Sequence, residues 1–450
     1  MELGYKEVTK HMTKFFKALI IYILTLESRI ILAKHKPFLI LVAGSVGKTT
    51  TKDAIFHVLK DTTKVRKSEK SYNSELGVPL TILGLPNAWR NPLLWLSNVW
   101  KGLQLALKKS EYPKVLILEL GSDHPGDIRR LVKWLRPDIA VLTTLPEIPV
   151  HVEFFGSPEA IRSEDALVFS MVSKDSVCVV NADDPHALLA AEHLSSRTIS
   201  YGFGAKSDMV GSGAKIRYAM NEGQHSPVGM EFTVTWEKEK YSVHLKGALG
   251  VGHCSALLAA LAVGVARGES MARMCESLST FAPPRGRMCV LDGKSGSIIL
   301  DDSYNSSPIA IEIALDTLRS LEGKRKIAML GDMLELGKYS DEEHWKAGRR
   351  AGGFVDELIT VGKEARLVAE AAKSAGLPEG RIHICATSED AGKLGLEMIR
   401  PGDIFLFKGS QGSGKNMIRM ERAVKMMMAH PDDAAKLLVR QEKEWLEQYE

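Results

Sequence analysis

The chain has 450 residues, which is more than one hydrophobic core usually serves, so two or three domains are expected. Its composition, with 45% hydrophobic and 25% charged residues, is that of a globular protein and excludes a disordered or fibrous chain. The net charge is +4 and no cluster of Lys and Arg is interleaved with aromatics, which argues against a nucleic-acid-binding protein.

The N-terminal segment, residues 1–36, reads as one amphipathic helix. Apolar residues recur with helical spacing from Thr13 to Lys36, and Pro37 ends the pattern. Charged residues interrupt the apolar stretch between Phe15 and Leu32, and no small-residue cleavage site follows it. We therefore expect neither a cleavable signal peptide nor a membrane-spanning helix.

Short apolar strands alternate with helical segments after this helix. Strands that are apolar on both faces and separated by helices are typical of a parallel, doubly wound α/β sheet. We predict one such domain over residues 37–284, with a linker at Ala282–Gly286. Its first predicted elements are the strands Phe38–Val42, Val115–Leu118 and Ile139–Leu142 and the helix Thr50–Leu59.

A second set of strands and helices follows the linker. It predicts a C-terminal Rossmann-like α/β domain over residues 285–430. Residues 431–450 read as a charged helical tail. The predicted elements of the second domain are strands near Ser297–Leu300, Lys326–Leu330, Glu357–Val361 and Ile404–Phe407 and the helix Ile309–Leu321.

A glycine-rich turn lies between the first strand and the first helix, in the order that a phosphate-binding site needs. Its backbone N–H groups can surround a phosphate, Lys48 can reach the terminal phosphates of ATP, and Thr49 can bind Mg²⁺. The strict P-loop pattern has a glycine where Val42 stands, so a tight turn without a nucleotide is the alternative. The predicted nucleotide-binding residues are Gly44, Ser45, Val46, Gly47, Lys48, Thr49 and Thr50.

The chain contains a second glycine-rich loop, Gly409–Asn416, which has the strict glycine spacing. In this loop Asn416 replaces the hydroxyl that would bind Mg²⁺. We interpret it as a polar interdomain loop rather than as a second nucleotide site.

Two further side chains are candidates for metal ligands. Glu119 ends an apolar strand, so its carboxylate is expected at the carboxyl edge of the sheet, where ligands bind in such folds. His151 is a weak signal alone, because most single histidines are surface residues or satisfied core residues.

Nine short motifs occur in the order that they have in the Mur ligase family, and the chain resembles that family from about Phe38 to Met428. Any one motif is modest evidence, whereas nine in family order are strong evidence. The motifs are Gly44–Thr51, Asn73–Thr81, Glu119–Gly121, His151 with Gly156 and Ser157, Asn181–Pro185, Gly286–Met288, Asp301–Asn305, Leu330–Gly337 and Lys408–Ser410.

The resemblance implies ATP and Mg²⁺ as cofactors and gives roles to individual residues. It implies that Asp302 holds the ribose of ATP and that Tyr304 and Asn305 line the nucleotide. Asn73 would contact substrate. The implied catalytic residues are Lys48, Glu119, His151 and Arg287, and the implied metal ligands are Thr49, Glu119 and His151.

The chain departs from the family pattern in three respects. Only 36 residues precede Pro37, too few for the domain that holds the uridine nucleotide of the substrate in the family, so we expect UDP to contribute little to recognition. Asp165 stands where the family has a carbamoylated lysine that binds metal. Either Asp165 reaches a second metal through a water or a shifted helix, or Glu119 and His151 suffice. His253 stands where the family has an adenine-binding Asn and is the adenine candidate.

The stretch Trp89–Tyr112 is additional to the family pattern and carries Trp89, Trp95 and Trp100 at helical spacing. An amphipathic helix with interfacial tryptophans can lie on a membrane. The plainer interpretation is that the tryptophans pack on the domain, so peripheral membrane contact stays open here.

The combined pattern predicts an ATP-dependent amide ligase that activates a carboxylate as an acyl phosphate and couples it to an amine. The resemblance implies a muramoyl peptide as the carboxylate and D-alanyl-D-alanine as the amine, in peptidoglycan synthesis. The scattered cysteines predict a reducing compartment, so we expect a cytoplasmic protein. We also expect a monomer. The alternatives are a related ligase for another carboxylate or a lipid-linked precursor, and a nucleotide-binding subunit without catalysis.

Overall fold

The computed structural model describes residues 2–69, 72–89, 91–108, 110–221, 224–412, 417–442 and 445. These residues form a long N-terminal helix, α1 (Glu2–His35), followed by two α/β units, each built on its own sheet. None of the described helices combines the length and the apolarity that crossing a membrane requires.

The first sheet has nine strands in the order β2-β3-β1-β4-β5-β6-β7-β8-β9. Neighbours are parallel from β2 to β7, and β8 and β9 add an antiparallel edge. The parallel sheet confirms the prediction, whereas the long antiparallel strands were not predicted. The strands are β1 (Phe38–Ala43), β2 (Val65–Lys67), β3 (Val115–Glu119), β4 (Ile139–Leu142), β5 (Val177–Asn181), β6 (Arg197–Gly202), β7 (Met209–Asn221), β8 (Gln224–Trp236) and β9 (Glu239–Lys246).

Helices cover both faces of this sheet, because side chains alternate along each buried strand. In β1, Ile40 and Val42 pack with Ile55 of α2 in one core, whereas Leu39 and Leu41 pack in a second core that includes α1. The helices are α2 (Lys48–Leu59), α3 (Gly77–Leu83), α4 (Pro92–Leu107), α5 (Asp127–Val132), α6 (Val152–Phe155), α7 (Pro158–Ala166), α8 (Pro185–Ala191), α9 (Val251–Ala266) and α10 (Met271–Leu278), with a 3₁₀ helix at Leu167–Met171.

The strand order places a topological switch point at the end of β1. The chain leaves β1 to build β2 and β3 on one side and then crosses to build β4 on the other. Ligands bind at the carboxyl ends of strands at such a point. Val42 pairs with Glu119 and Ala43 pairs with Leu142 there, so the glycine-rich turn starts beside the ends of both neighbouring strands.

The second sheet has the order β10-β11-β15-β12-β13-β14, and only the pairing of β10 with β11 is antiparallel. The strands are β10 (Cys289–Asp292), β11 (Ile298–Asp302), β12 (Arg325–Gly331), β13 (Glu357–Val361), β14 (Ile382–Cys385) and β15 (Asp403–Lys408). The helices are α11 (Pro308–Ser320), α12 (Ser340–Gly352), α13 (Ala365–Ser374), α14 (Ser388–Met398), α15 (Met420–Met427) and α16 (Ala434–Leu437), with 3₁₀ turns at Lys294–Gly296, Gly337–Tyr339, Glu379–Arg381 and Pro431–Asp433.

Two elements differ from the sequence-based prediction. Helix α1 begins at Glu2 rather than at Thr13, since no proline interrupts the residues before Thr13. Between residues 431 and 442, the described stretch at the start of the predicted tail helix, the helical structure consists of the 3₁₀ turn Pro431–Asp433 and α16. Beyond α16 the backbone turns inward so that Leu438 and the side chain of Arg440 are buried, and Arg440 has a left-handed φ of 56°. Residues 443, 444 and 446–450 lie outside the described part of this tail.

Candidate active site

The glycine-rich turn joins β1 to α2 through two residues with left-handed backbone angles, Gly44 at φ 119° and Gly47 at φ 90°. A Cβ at Gly44 would lie only 2.3 Å from Oγ1 of Thr143, at the end of β4. The backbone N–H of Ser45 donates to the carbonyl of Thr144 at 2.8 Å. The turn therefore packs against the end of the neighbouring strand, and only glycine fits at position 44 because a side chain there would clash with Thr143.

The N-terminus of α2 points its first N–H groups out of the turn. Gly47 precedes the helix without a side-chain cap, and the first backbone bond of the helix runs from Thr51 to the carbonyl of Gly47. The N–H groups of Lys48 and Thr49 therefore have no partner within the helix, which suits them to an anion. The ammonium of Lys48 folds back over the turn and donates to the carbonyls of Gly44 and Ser45.

Glu119 meets α2 directly below this turn. The hydroxyl of Thr49 donates to Oε1 of Glu119 at 3.2 Å, and the ammonium of Lys52 lies 3.3 Å from Oε2. Lys52 and Glu119 are both buried. Sequence reasoning missed Lys52, although it stands three residues after Thr49 and therefore on the same face of α2.

Thr49 and Glu119 fit one side of a magnesium site. Oxygens that bind the same octahedral Mg²⁺ at about 2.1 Å lie about 3 Å apart, and Thr49 Oγ1 and Glu119 Oε1 are 3.2 Å apart. Among the described residues, no group of three or more His, Cys, Asp and Glu side chains is placed to hold a metal ion. The structure thus brings Thr49 and Glu119 together, but not Glu119, His151 and Asp165 as one ligand set.

Asp165 is fully buried on α7 and both of its oxygens have partners. It accepts from the hydroxyl of Ser45 at 3.1 Å and from the hydroxyl of Ser122 at 2.6 Å. Burial raises the pKa of the Asp165 carboxyl, and the nearby Lys48 ammonium opposes that shift. Asp165 therefore stabilises the glycine-rich turn through Ser45, on the side of the turn that faces the protein interior.

His151 connects the two units. It has a left-handed φ of 69° just before α6, and its Nδ1 lies 2.5 Å from Oε2 of Glu335 in the second unit. Its Nε2 is 3.5 Å from Oδ1 of Asp123. The close contact with His151 lowers the pKa of the Glu335 carboxyl. Sequence reasoning quoted the motif that contains Glu335 but gave this side chain no role.

The second unit contributes Asp302, at the end of β11. Its Oδ2 lies 2.5 Å from the ammonium of Lys408, and its Oδ1 accepts from the backbone N–H of Met288 at 3.1 Å. Lys408 also donates to the carbonyl of Asn305 at 3.2 Å. Burial lowers the pKa of the Lys408 ammonium. Lys408 is a site residue that sequence reasoning quoted only as part of a motif.

Tyr304 lies between two arginines. The guanidinium carbon of Arg287 is 4.1 Å from the centre of the Tyr304 ring, and that of Arg440 is 5.4 Å from it. Arg440 also donates to the carbonyls of Ser303 and Tyr304. The tail beyond α16 therefore supports the face that carries Tyr304, which the sequence did not indicate.

His253, near the start of α9, is buried and its Nε2 lies 2.7 Å from the carbonyl of Arg287. Burial lowers the pKa of this imidazole. A neutral ring that donates from Nε2 leaves Nδ1 as an acceptor, and Nδ1 has no partner among the described residues.

Asn73 closes the site beside β3. Its backbone carbonyl accepts from the N–H of Gly121 at 3.0 Å. Its side chain packs directly on Gly121, because a Cβ added to Gly121 would lie only 2.4 Å from Nδ2 of Asn73.

The described half of the second glycine-rich loop is tied to its own unit. The N–H of Ser410 donates to the carbonyl of Asp332 at 3.0 Å, and its hydroxyl accepts from the N–H of Leu334 at 2.9 Å. Asn416, which distinguishes this loop from a P-loop, lies outside the described residues.

These side chains line one cavity of about 470 Å³ between the two units. It collects every predicted site residue except the buried Gly44 and Asp165, which lie just behind its wall. The lining includes Ser45, Val46, Gly47, Lys48, Thr49, Thr50, Asn73, Glu119, His151, His253, Arg287, Asp302, Tyr304 and Asn305, together with Glu335 and Lys408.

The chain is similar to characterised ligases over most of its length. The profile of the Mur ligase middle domain matches residues 42–92 and 97–264, and that of the Mur ligase glutamate ligase domain matches residues 286–411. The UDP-N-acetylmuramoyl-tripeptide–D-alanyl-D-alanine ligase of Bacillus subtilis is 28% identical over 392 residues, covering 87% of this chain and 76% of that protein. The enzyme of that name from Haemophilus influenzae is 25% identical, covering 75% and 66%.

A solved structure has the same fold. The MurF ligase of Thermotoga maritima, in complex with ADP, matches with a TM-score of 0.72 and 26% identity, covering 90% of this chain and 83% of that one. The two matched domains, this shared fold and the cleft between the two sheets lead to one conclusion: the chain belongs to the Mur ligase family of ATP-dependent ligases that form C–N bonds.

Proposed function

We propose that this ligase joins D-alanyl-D-alanine to the free carboxylate of a muramoyl tripeptide, in peptidoglycan synthesis. The main structural support for this proposal is one cavity, in which the phosphate loop of the first unit faces Asp302 and Asn305 of the second unit. The names of the relatives from Bacillus subtilis and Haemophilus influenzae support the choice of substrates.

ATP is held across this cavity. The free N–H groups at the start of α2 and the ammonium of Lys48 bind the terminal phosphates, and Arg287 adds positive charge from the other wall. Asp302 binds the ribose, and His253, which lines the cavity, lies against the adenine. Tyr304 and Asn305 line the nucleotide.

Thr49 and Glu119 would hold Mg²⁺, since their oxygens are spaced for one ion. When bound, Mg²⁺ would neutralise charge on the phosphates of ATP. Lys52 keeps the buried Glu119 carboxylate paired and fixed in place.

The chemistry requires positioning more than covalent participation by the protein. A carboxylate oxygen of the substrate bonds to the γ-phosphorus of ATP while the bond to the bridging oxygen breaks and ADP leaves. The amine nitrogen then bonds to the acyl carbon and releases a proton to solvent, while the bond from that carbon to the phosphate oxygen breaks and phosphate leaves. Holding both reactants in one cavity makes these steps effectively intramolecular.

Asp165 acts as a positioning residue in this proposal. Its two hydrogen bonds fix Ser45 in the phosphate loop and Ser122 next to it, without placing the carboxylate in the cavity. This role replaces the expected approach of Asp165 to a second metal.

The test is phosphate release from ATP by the purified chain with Mg²⁺, UDP-muramoyl tripeptide and D-alanyl-D-alanine. We expect release only when all components are present, with a product whose mass equals tripeptide plus dipeptide minus water. Turnover with a folate and glutamate, and none with the muramoyl peptide, would assign the alternative ligase class. If the folded chain released no phosphate from ATP with any of these carboxylates, the result would favour a nucleotide-binding subunit without catalysis.

A further inference from the structure

Helix α4 exposes an apolar stripe on the face opposite to its contacts with the domain. Its buried residues are Trp95, Asn98 and Gly102. The outward residues recur at intervals of three and four and are each between 40% and 76% exposed. This stripe consists of Leu93, Leu96, Trp100, Leu103 and Leu107.

Helix α1 exposes a second stripe with the same periodicity. Its buried side carries Leu24 and Ile31, whereas the outward residues are each between 43% and 68% exposed. This stripe consists of Leu19, Tyr22, Leu26 and Ile30. A monomeric soluble protein rarely leaves so much contiguous apolar surface in water.

The two helices are fixed side by side and run in the same direction. Gly102 of α4 packs on Glu27 of α1, since a Cβ there would lie 2.0 Å from Oε2 of the carboxyl. The ammonium of Lys34, at the end of α1, donates to the carbonyls of Ala106 and Lys108 at the end of α4, at 2.9 and 2.6 Å. The two stripes therefore belong to one rigid pair.

The exposed charges on the two helices themselves are of one sign. In residues 16–36 and 91–108 the only acidic residue is Glu27, which is buried. The exposed charged residues are Lys17, Arg29, Lys34, Lys36, Lys101 and Lys108. Apolar stripes that include aromatic residues can insert between lipid headgroups, and the basic residues beside them are attracted to anionic lipids. A second copy of the chain would instead bring the same basic residues face to face.

We propose that α1 and α4 together form a docking face for the surface of an anionic phospholipid bilayer. In this arrangement both helices lie along the surface, with their apolar stripes facing the lipid. The face is close to the cleft: Asn73 lines the cavity, α3 begins at Gly77, and α3 packs on α1, where Ser28 donates to the carbonyl of Pro79 at 3.4 Å. The inference does not depend on the identity of the ligase substrates.

The test is sedimentation of the full chain with vesicles of equal parts phosphatidylglycerol and phosphatidylcholine. We expect binding that weakens with added salt and is poor on phosphatidylcholine alone. The double variant Leu96→Glu/Trp100→Glu should bind on the order of a hundredfold more weakly. Leu188→Glu/Leu189→Glu, on the exposed side of α8, is the matched control and should bind as the parent does.

Thermal melting checks that both double variants are folded. A folded parent chain that does not bind anionic vesicles at low salt overturns the proposal, as does equal loss of binding in the α4 and α8 variants. A parent chain that dimerises in solution through this face and ignores vesicles would identify a second copy as the occupant, which also overturns it.

Discussion

Nδ1 of His151 lies 2.5 Å from Oε2 of Glu335, and this contact joins the unit that carries the phosphate loop to the unit that carries Asp302. The backbone repeats the connection, because the N–H of Glu153 donates to the carbonyl of Glu335 at 3.3 Å. The two walls of the cavity are therefore held in register by a pair that neither unit could form alone.

We expect Glu335→Gln to lower kcat/KM by about ten- to a hundredfold, because it weakens the contact that aligns the two walls. Glu342→Gln is the matched control, since Glu342 forms only exposed pairing with Lys346. Steady-state phosphate release checks both variants. Equal rates for the parent and Glu335→Gln would contradict the alignment role.

The same pair gives a pH prediction. The close contact with His151 lowers the pKa of Glu335 below the ordinary value of 4.5, so the charged carboxylate stabilises the folded state. That contribution is fully present above about pH 4.5 and is lost as the pH falls through the lowered pKa. Thermal melting of the parent and Glu335→Gln should therefore converge at acidic pH and differ near neutrality.

Lys48→Ala should reduce kcat by on the order of a hundredfold or more while the fold persists, because it removes the positive charge at the phosphate loop and leaves the glycine turn unchanged. Lys60→Ala, at the exposed end of α2, is the control. Phosphate release and circular dichroism are the measurements. A folded Lys48→Ala chain with normal turnover would exclude this loop from catalysis.

Asp165→Ala should destabilise the chain by about 1–3 kcal/mol and raise the KM for ATP, because it leaves two hydroxyls behind the phosphate loop without their acceptor. Its dependence on Mg²⁺ concentration should stay that of the parent. A large increase in the Mg²⁺ requirement would instead return Asp165 to the metal site. Asp175→Ala, at an exposed position, is the control.

Glu27→Gln should stabilise the chain at pH 8. Burial against α4 raises the pKa of Glu27 from 4.5 to about 7, so the folded state prefers the protonated carboxyl. Stability therefore falls as the pH rises from about 4.5 to about 7, and the full penalty, about 3 kcal/mol at most, applies above that range. Denaturant unfolding should show the gain at pH 8 and little gain at pH 4.5. A pH-independent difference would contradict it.

The sequence was sufficient where function follows from local order. The strand, glycine turn and helix around Lys48 are consecutive, and Glu119 ends a strand whose apolar run is visible in the sequence. It was insufficient where partners come from distant segments. Lys52 looked like any helical lysine, and Glu335 acquired its partner only when the two units met. The antiparallel strands β7 and β8 pair in a bulged register that short apolar periods do not reveal.

The packing of Arg440 against Tyr304 has a consequence for the order in which the protein folds during synthesis. Tyr304 is translated 136 residues before the arginine that donates to its carbonyl. On the ribosome, both sheets can therefore form while the nucleotide-facing wall still lacks its support. Nascent chains should accordingly bind ATP poorly until the segment after α16 has emerged and docked against Tyr304.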